Sequence, residues 1–481
     1  MLSAYQNFVW MDASRRSFFF RRAGPIRVLS RLADLSSLNW NRQIPKDLSM
    51  NRNAAVALAL AAILTTGFAF AAEPPSKTLY VRAGKLMTSA SDPLKGPTTM
   101  IVTDGRISAI GDALPVPQGA EEVDLSKYTV MPGFIDSHIH LWTGPRALGN
   151  NVSYGLQTLR AQKAMKYAIT SGVVGVRVLG SDGFIDVALA DAIDEGTVVG
   201  PHVLPAGHAI SIPAGHGDSF SYPATIPQDA YYTPLQGFIS STEDAEKAVH
   251  LQIKYGAKVI KIMASGGVGS PLDSPTAEQL SPEEMKVIVE QAHMAHLKVS
   301  AHDENTTAIL DALHAGVDSI EHASELNQEA VDYMKAHHVW WDPTVYIVDS
   351  IVLGGETGPD YFVRKGKALA GTHFPSFRLG LKNGMAPQMC AGSDMSYEPG
   401  GGTVLDEMMT MVKYGATPQQ ALVAGTINGA ALAGWSDMGT LEVGKEASFV
   451  ALDGDPTTDI SVVKKTKAVV FKGKVVAGVG K

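Results

Sequence analysis

The chain has 481 residues, 45% of them hydrophobic and 18% charged, with a formal net charge of −8 and a sequence pI near 6.0. Such a length buries a large core and leaves room for more than one domain. The acidic balance argues against a nucleic-acid partner, and the single cysteine, Cys390, excludes an intrachain disulfide.

Residues 1–71 read as a leader outside the fold. Arg52 precedes an Ala- and Leu-rich run over 53–72, which ends in Ala69-Phe70-Ala71 before Ala72-Glu73-Pro74-Pro75. An apolar region followed by a small-x-small cleavage site is the pattern of a secretory signal peptide. With Met50 as the expected start, the signal spans 50–71. Ser14-Arg15-Arg16-Ser17-Phe18-Phe19 resembles a twin-arginine signal, but the apolar run follows too far behind it. Thr65-Thr66-Gly67 and the cleavage site argue against an uncleaved anchor. The expected location is therefore the periplasm or exterior of a bacterium, with no stable membrane insertion. The leader holds nine Lys and Arg against three Asp, so the mature chain carries about −14.

Beyond the leader, Thr78–Leu86 and Thr99–Ile110 predict strands with an Asp104-Gly105 hairpin turn. At the far end, Ala447–Leu452 and Ala468–Val476, turning at Lys472-Gly473-Lys474, read the same way. The two ends, 72–132 and 437–481, are expected to join as a small β-sandwich flanking a domain over 133–436. At the start of that domain the Pro132-Gly133 turn leads into an apolar run ending at Leu141, where His138 and His140 stand two residues apart on an extended segment and so face one side. Two imidazoles on one face are a seat for a divalent metal. Further short apolar runs follow, at Gly172–Leu179, Val203–Ala206, Lys258–Met263, Leu297–His302, Val317–His322, Val339–Tyr346 and Met389–Asp394. Helical stretches such as 282–295 and Thr306–His314 separate them. Strand alternating with helix predicts a parallel sheet, and eight such strands predict an α/β fold of the (β/α)8 TIM-barrel type. In that architecture chemistry collects where the strands end, and there stand His138, His140, Lys261, His302, His322 and Asp394.

These segments resemble the amidohydrolase superfamily of metal-dependent hydrolases, in the branch that holds Xaa-Pro dipeptidases, metal carboxypeptidases and ochratoxin-degrading amidohydrolases. The likeness runs from Thr78 to Val476. It rests on Pro132–His140, Gly256–Gly267, Ile320-Glu321-His322-Ala323, Ala391-Gly392-Ser393-Asp394 and the tail Gly439–Lys445. Ser448-Phe449 departs from the family's usual acidic and aliphatic pair. The resemblance implies two divalent metal ions, Zn2+ in the first instance, although manganese and cobalt suit the same ligands. His138 and His140 would hold one metal and His302 and His322 the other. Lys261, carboxylated by carbon dioxide, would bridge them, since an ammonium has no lone pair while a carbamate offers two anionic oxygens. Asp394 would be both ligand and proton shuttle. The implied reaction cuts an amide and releases an amino acid from a dipeptide or an N-acyl amino acid, and a homo-oligomer is the family's habit.

Plainer readings exist for each residue. Lys261 could pair with a carboxylate, Asp394 could cap a helix, and His302 and His322 could be core residues. His216, in the loop Gly215-His216-Gly217-Asp218, and Tyr346 are candidate substrate contacts. Arg177 reads as an ion-pair partner inside the barrel, Cys390 as packing, and Asp303-Glu304 as either a cation contact or a helix start. His293, His296, His337 and His338 read as surface or packing residues, and His250 and His373 carry no signal. Pro213–Pro234 and Gly354–Pro375 read as long loops. A mononuclear deaminase or cyclic-amide hydrolase, or a non-catalytic barrel scaffold, are the rival functions.

Overall fold

The computed structural model describes residues 77–141, 153–218, 231–354, 358–397 and 401–478. The expected leader and its signal peptide lie outside these residues. Both ends of the described chain meet in one seven-stranded sheet. Its strands are β1 (Thr78–Leu86), β2 (Thr98–Thr103), β3 (Arg106–Gly111), β4 (Glu121–Pro132), β12 (Phe449–Leu452), β13 (Thr466–Phe471) and β14 (Lys474–Gly478). The spatial order is β14-β13-β12-β4-β1-β2-β3, with β1 and β4 parallel and the other pairs antiparallel. Alternate residues, among them Leu79, Val81, Val123, Leu125, Phe449 and Val470, face a common apolar core, as period two requires.

Between those ends lie two parallel sheets. One is β5 (Phe134–Ile139), β6 (Val173–Val178) and β7 (His202–Pro205); the other is β8 (Val259–Met263), β9 (Lys298–Asp303), β10 (Ser319–His322) and β11 (Trp340–Asp342). Strands β6 and β8 are buried at every position, which is why they are written almost wholly in Val, Ile and Met. Backbone hydrogen bonds join the sheets on both flanks. Ile210 N donates to Lys261 O at 2.8 Å and Lys258 N to Pro205 O at 2.7 Å. On the other side the segment Met389–Asp394 lies between β11 and β5, with Cys390 N on Trp341 O at 2.8 Å and Ser137 N on Ala391 O at 2.9 Å. The chain thus has a TIM-barrel-type α/β fold.

The connecting helices are α1 (Tyr154–Ser171), α2 (Ile185–Asp194), α3 (Thr242–Lys254), α4 (Pro282–Met294), α5 (Thr306–Ala315), α6 (Gln328–His337), α7 (Val345–Leu353), α8 (Asp360–Lys382) and α9 (Val404–Lys413). Short helices α10 (Pro418–Val423) and α11 (Gly429–Ala433) flank a π-helical turn at Ala424–Asn428. Side chains of Ser241, Asn305 and Asn327 cap the first free N–H groups of α3, α5 and α6. Ser281 and Glu284 form a reciprocal capping box on α4.

Gly133 separates β4, in the outer sheet, from β5, in the inner one. Two expectations change. Val339–Tyr346 is a strand only over Trp340–Asp342, after which Pro343 and a left-handed Thr344 turn the chain into α7. Most of Gly354–Pro375 is helix α8, which carries Pro375 internally because Phe362, Leu369 and Phe377 bury its inner face. Among the described residues no helix is long and apolar enough to cross a membrane.

Candidate metal centre

The ends of four parallel strands and the segment before α9 bring six side chains to one place. His138 Nε2 lies 3.3 Å from His140 Nε2, and Asp394 Oδ1 is 3.1 Å from His140 Nε2 and 3.5 Å from His138 Nε2. These three groups could hold one metal ion. The His322 ring stands 5.1 Å from the His138 ring and 4.6 Å from the His302 ring, centroid to centroid. Backbone hydrogen bonds decide which nitrogen of a histidine carries the proton, because a carbonyl only accepts. Gly180 O faces His140 Nδ1 at 3.4 Å and Gly266 O faces His302 Nε2 at 3.2 Å. The lone pairs left over are Nε2 of His140 and Nδ1 of His302. His322 Nδ1 pairs with Thr344 Oγ1 at 2.6 Å.

Lys261 sits among them. It is 1% exposed, and its Nζ has no hydrogen-bond partner among the described residues. The plain expectation of a lysine paired with a carboxylate is therefore not met. Burial pushes its pKa down to about 8, and the Arg177 charge adds to that while Glu321 opposes it. Burial and the Lys261 charge lower His138 to about 4. Burial disfavours ionised Asp394, but His138 and His140 outweigh it and hold the carboxyl well below the usual range. His322 (φ 67°) and Asp394 (φ 55°) both adopt the left-handed region that side chains avoid, a cost of about 1–3 kcal/mol each that clusters at functional sites. Asp394 caps no helix; Thr403 does that for α9.

Imidazole lone pairs and an ionised carboxylate form a donor set that fits divalent transition metals, and the buried Lys261 amine beside them has no hydrogen-bond partner among the described residues. Comparison with known proteins agrees. The Amidohydrolase family model matches residues 129–476. The chain belongs to the amidohydrolase family. It is 33% identical over 422 residues to ochratoxinase of Aspergillus niger, covering 83% of this chain and 86% of that one. Among solved structures it resembles a Xaa-Pro dipeptidase with methionine bound in its active site, with a TM-score of 0.77, 27% identity, and coverage of 83% of this chain and 99% of that one. It also resembles the crystal structure of A. niger ochratoxinase, with a TM-score of 0.74, 30% identity, and coverage of 85% and 97%. This amidohydrolase is accordingly a metal-dependent hydrolase acting on C–N bonds.

Of the candidate substrate contacts, His216 lies at the centre. The His216 ring stacks on that of His302 at 4.1 Å between centroids. Gly267 lies so close that a Cβ there would stand 2.4 Å from the imidazole, which would have to shift. Ser270 Oγ meets His216 Nδ1 at 2.8 Å and hydrogen-bonds in turn to Asp273, which Lys365 of α8 holds at 2.9 Å. Tyr346 stands in the first turn of α7 rather than at a strand end.

Several residues of the centre went unread in the sequence. Glu321 on β10 is fully buried and accepts from Arg177, Ser300 and Ser319. Arg177 is thereby the interior ion-pair partner its place on an apolar strand predicts. Asp136 Oδ1 accepts from His138 N and Ser393 N, and its Oδ2 from Ser393 Oγ and Tyr397 Oη, which ties β5 to the Asp394 segment. Asp136 shares the period-two face of His138 and His140, a signal that was available. Asp303 and Glu304 do not start a helix, because Asn305 caps α5. Both are buried, and burial raises each to about 8; Glu304 accepts from Ser324, which also meets His373 Nδ1 at 2.8 Å. His373 is thus a buried residue at 1% exposure rather than a silent one. Cys390 is buried, and burial raises its thiol well above the usual value, in keeping with packing.

Proposed function

We propose that this amidohydrolase is a binuclear enzyme that hydrolyses an amide or peptide bond and releases an amino acid, in the manner of a dipeptidase or carboxypeptidase. The observation that carries the reading is the convergence of four histidines and Asp394 around Lys261, a buried amine left without a partner. His138, His140 and Asp394 would hold one metal, His302 and His322 the second, and Lys261, as its carbamate, would bridge them. Divalent ions there, with Zn2+ the first candidate, supply Lewis acidity and an activated water whose pKa falls toward about 7. Asp394, kept ionised by the two imidazoles, accepts a proton and returns it to the departing amine nitrogen. His216, fixed by Ser270 and Gly267, contacts the substrate beside His302. The similarity to a Xaa-Pro dipeptidase and to ochratoxinase supports dipeptides and ochratoxin-like N-acyl amino acids as substrates.

On the architecture, we take the two inner sheets and the Met389–Asp394 segment as one closed eight-stranded barrel over 133–436, supported by the backbone hydrogen bonds at both flanks. We take the outer sheet as a β-sandwich of 72–132 and 437–481, supported by the apolar core its distant strands share. Export to the periplasm or exterior, with cleavage after residue 71, follows from the leader's composition.

The test is a panel of dipeptides and N-acyl amino acids incubated with metal-replete enzyme, reading free amino acids and metal content together. Release of an amino acid, abolished by chelation, at about two metals per chain is expected. One metal per chain with ammonia release or ring opening would instead favour a mononuclear deaminase or cyclic-amide hydrolase. The compact trio of His138, His140 and Asp394 is the feature that supports that second reading.

A further inference from the structure

We propose that Glu321 is a positioning residue for the metal centre: gripped by Arg177, it fixes His138 in the tautomer whose Nε2 lone pair faces His140 and Asp394. The inference rests on the reading of His138 as a metal ligand. Glu321 Oε2 lies 3.1 Å from His138 Nδ1. Arg177 Nη2 donates to both oxygens, at 2.8 and 2.9 Å, while Ser300 and Ser319 hydroxyls donate to Oε1 at 2.7 and 2.6 Å. A guanidinium has no acceptor, so neither oxygen is left to carry a proton, and the carboxylate can only accept. Nδ1 of His138 must then be the donor. An imidazole protonated at Nδ1 keeps its lone pair on Nε2, the atom 3.3 Å from His140 Nε2. A carboxylate behind a ligating histidine in this way fixes the ring and raises its basicity.

The same anion reaches further than one ring. Arg177 Nε donates to Ser137 O, next to His138, and its Nη1 to Ser319 Oγ at 3.0 Å. In the parallel sheet Ser300 pairs in register with both Lys261 and Ser319. Glu321 thereby links the strands that carry His138, Lys261, His302 and His322. A buried ion pair is often no more stabilising than a well-packed apolar substitute, so stability alone does not account for one here. Holding donors in register at a metal centre does.

Metal binding is read by chelator competition with zinc(II) and by the visible spectrum with cobalt(II). E321Q is expected to weaken binding about 10- to 100-fold and to change the cobalt bands. Because glutamine removes the carboxylate that accepts from Arg177, leaving only Asp342 at 3.8 Å, E321D serves beside it. E321D keeps an anion for Arg177 but withdraws it by one methylene from His138, and a smaller change of the same kind is expected. Wild-type affinity and an unchanged cobalt spectrum in folded E321D, with only a lower Tm, overturn the proposal and leave Glu321 a structural residue. Without any variant, 15N spectra of metal-free, histidine-labelled wild-type protein are expected to show His138 protonated at Nδ1; protonation at Nε2 overturns it as well. Wild-type protein that takes up neither cation would refute the metal reading itself, a separate failure.

Discussion

Lys261 and Asp394 show how one buried space sets two side chains to different tasks. An amine at 1% exposure with no acceptor among the described residues is costly unless something converts or occupies it. Lys261→Ala is therefore expected to lose bound metal and hydrolysis together, as read by elemental analysis and turnover on one preparation; a fully metallated, fully active variant refutes the bridge. Asp394 lies at 3.1 Å from His140 and stays ionised against its burial. Asn at this position keeps the shape but cannot take a proton, so kcat is expected to fall about 10²- to 10⁴-fold while the protein stays folded. Equal kcat in the Asn variant would move the proton-transfer role elsewhere. Nearby, Gly392 permits the approach of this segment to β5, since a Cβ there would stand 2.3 Å from Asp342 Oδ2 and 2.5 Å from His138 Cβ.

At the scale of elements, the start of α7 depends on a carboxylate from another helix. Glu407 of α9 is fully buried and accepts from Val345 N at 2.9 Å and Tyr346 N at 2.6 Å, standing in for the N-cap that left-handed Thr344 does not supply. Burial raises its pKa from 4.5 to about 8, against the pull of those two N–H groups. The folded state therefore holds this proton over a range where the unfolded chain has released it. The associated stability is full below about pH 4.5 and is lost as pH rises to about 8, at no more than about 1.4 kcal/mol per pH unit for one proton. Glu407→Gln is expected to flatten that decline in urea titrations between pH 5 and about 8; an unchanged slope would assign it to other groups. Sequence made the inner strands legible because β6 and β8 are short and mostly apolar and β9 closes on His302 and Asp303, and boundaries held to within a residue or two. It hid α8, because Pro375 and the glycines at 354 and 358 read as breakers while the burial of Phe362 and Phe377 overrides them. The ligand residues stood out by period two and by position at strand ends. Glu321 did not, because a lone acid in an apolar strand declares its purpose only through its partners on other strands.

For the whole molecule, the centre draws on β5, β8, β9, β10 and the segment before α9, so occupancy couples to global unfolding. Chelation is expected to lower Tm, since a ligand that binds only the folded state at about 100 times its Kd adds about 2.7 kcal/mol. Calorimetry with and without chelator checks this, and coincident transitions would mean that the site is empty or unlinked to folding. The outer sheet sets a different condition. Its middle is the pairing of β4 with β12, Val130 opposite Ala451 and Thr129 opposite Leu452, and β13 and β14 dock only beyond β12. A ribosome delivers β1 to β4 early and β12 to β14 last, with the entire inner fold made in between. Until synthesis ends, β4 waits with one hydrogen-bonding edge bare, an invitation to pair with a neighbouring nascent chain. A premature stop anywhere before Phe449 makes that wait permanent, so even a message that encodes every ligand of the centre yields a chain prone to clump.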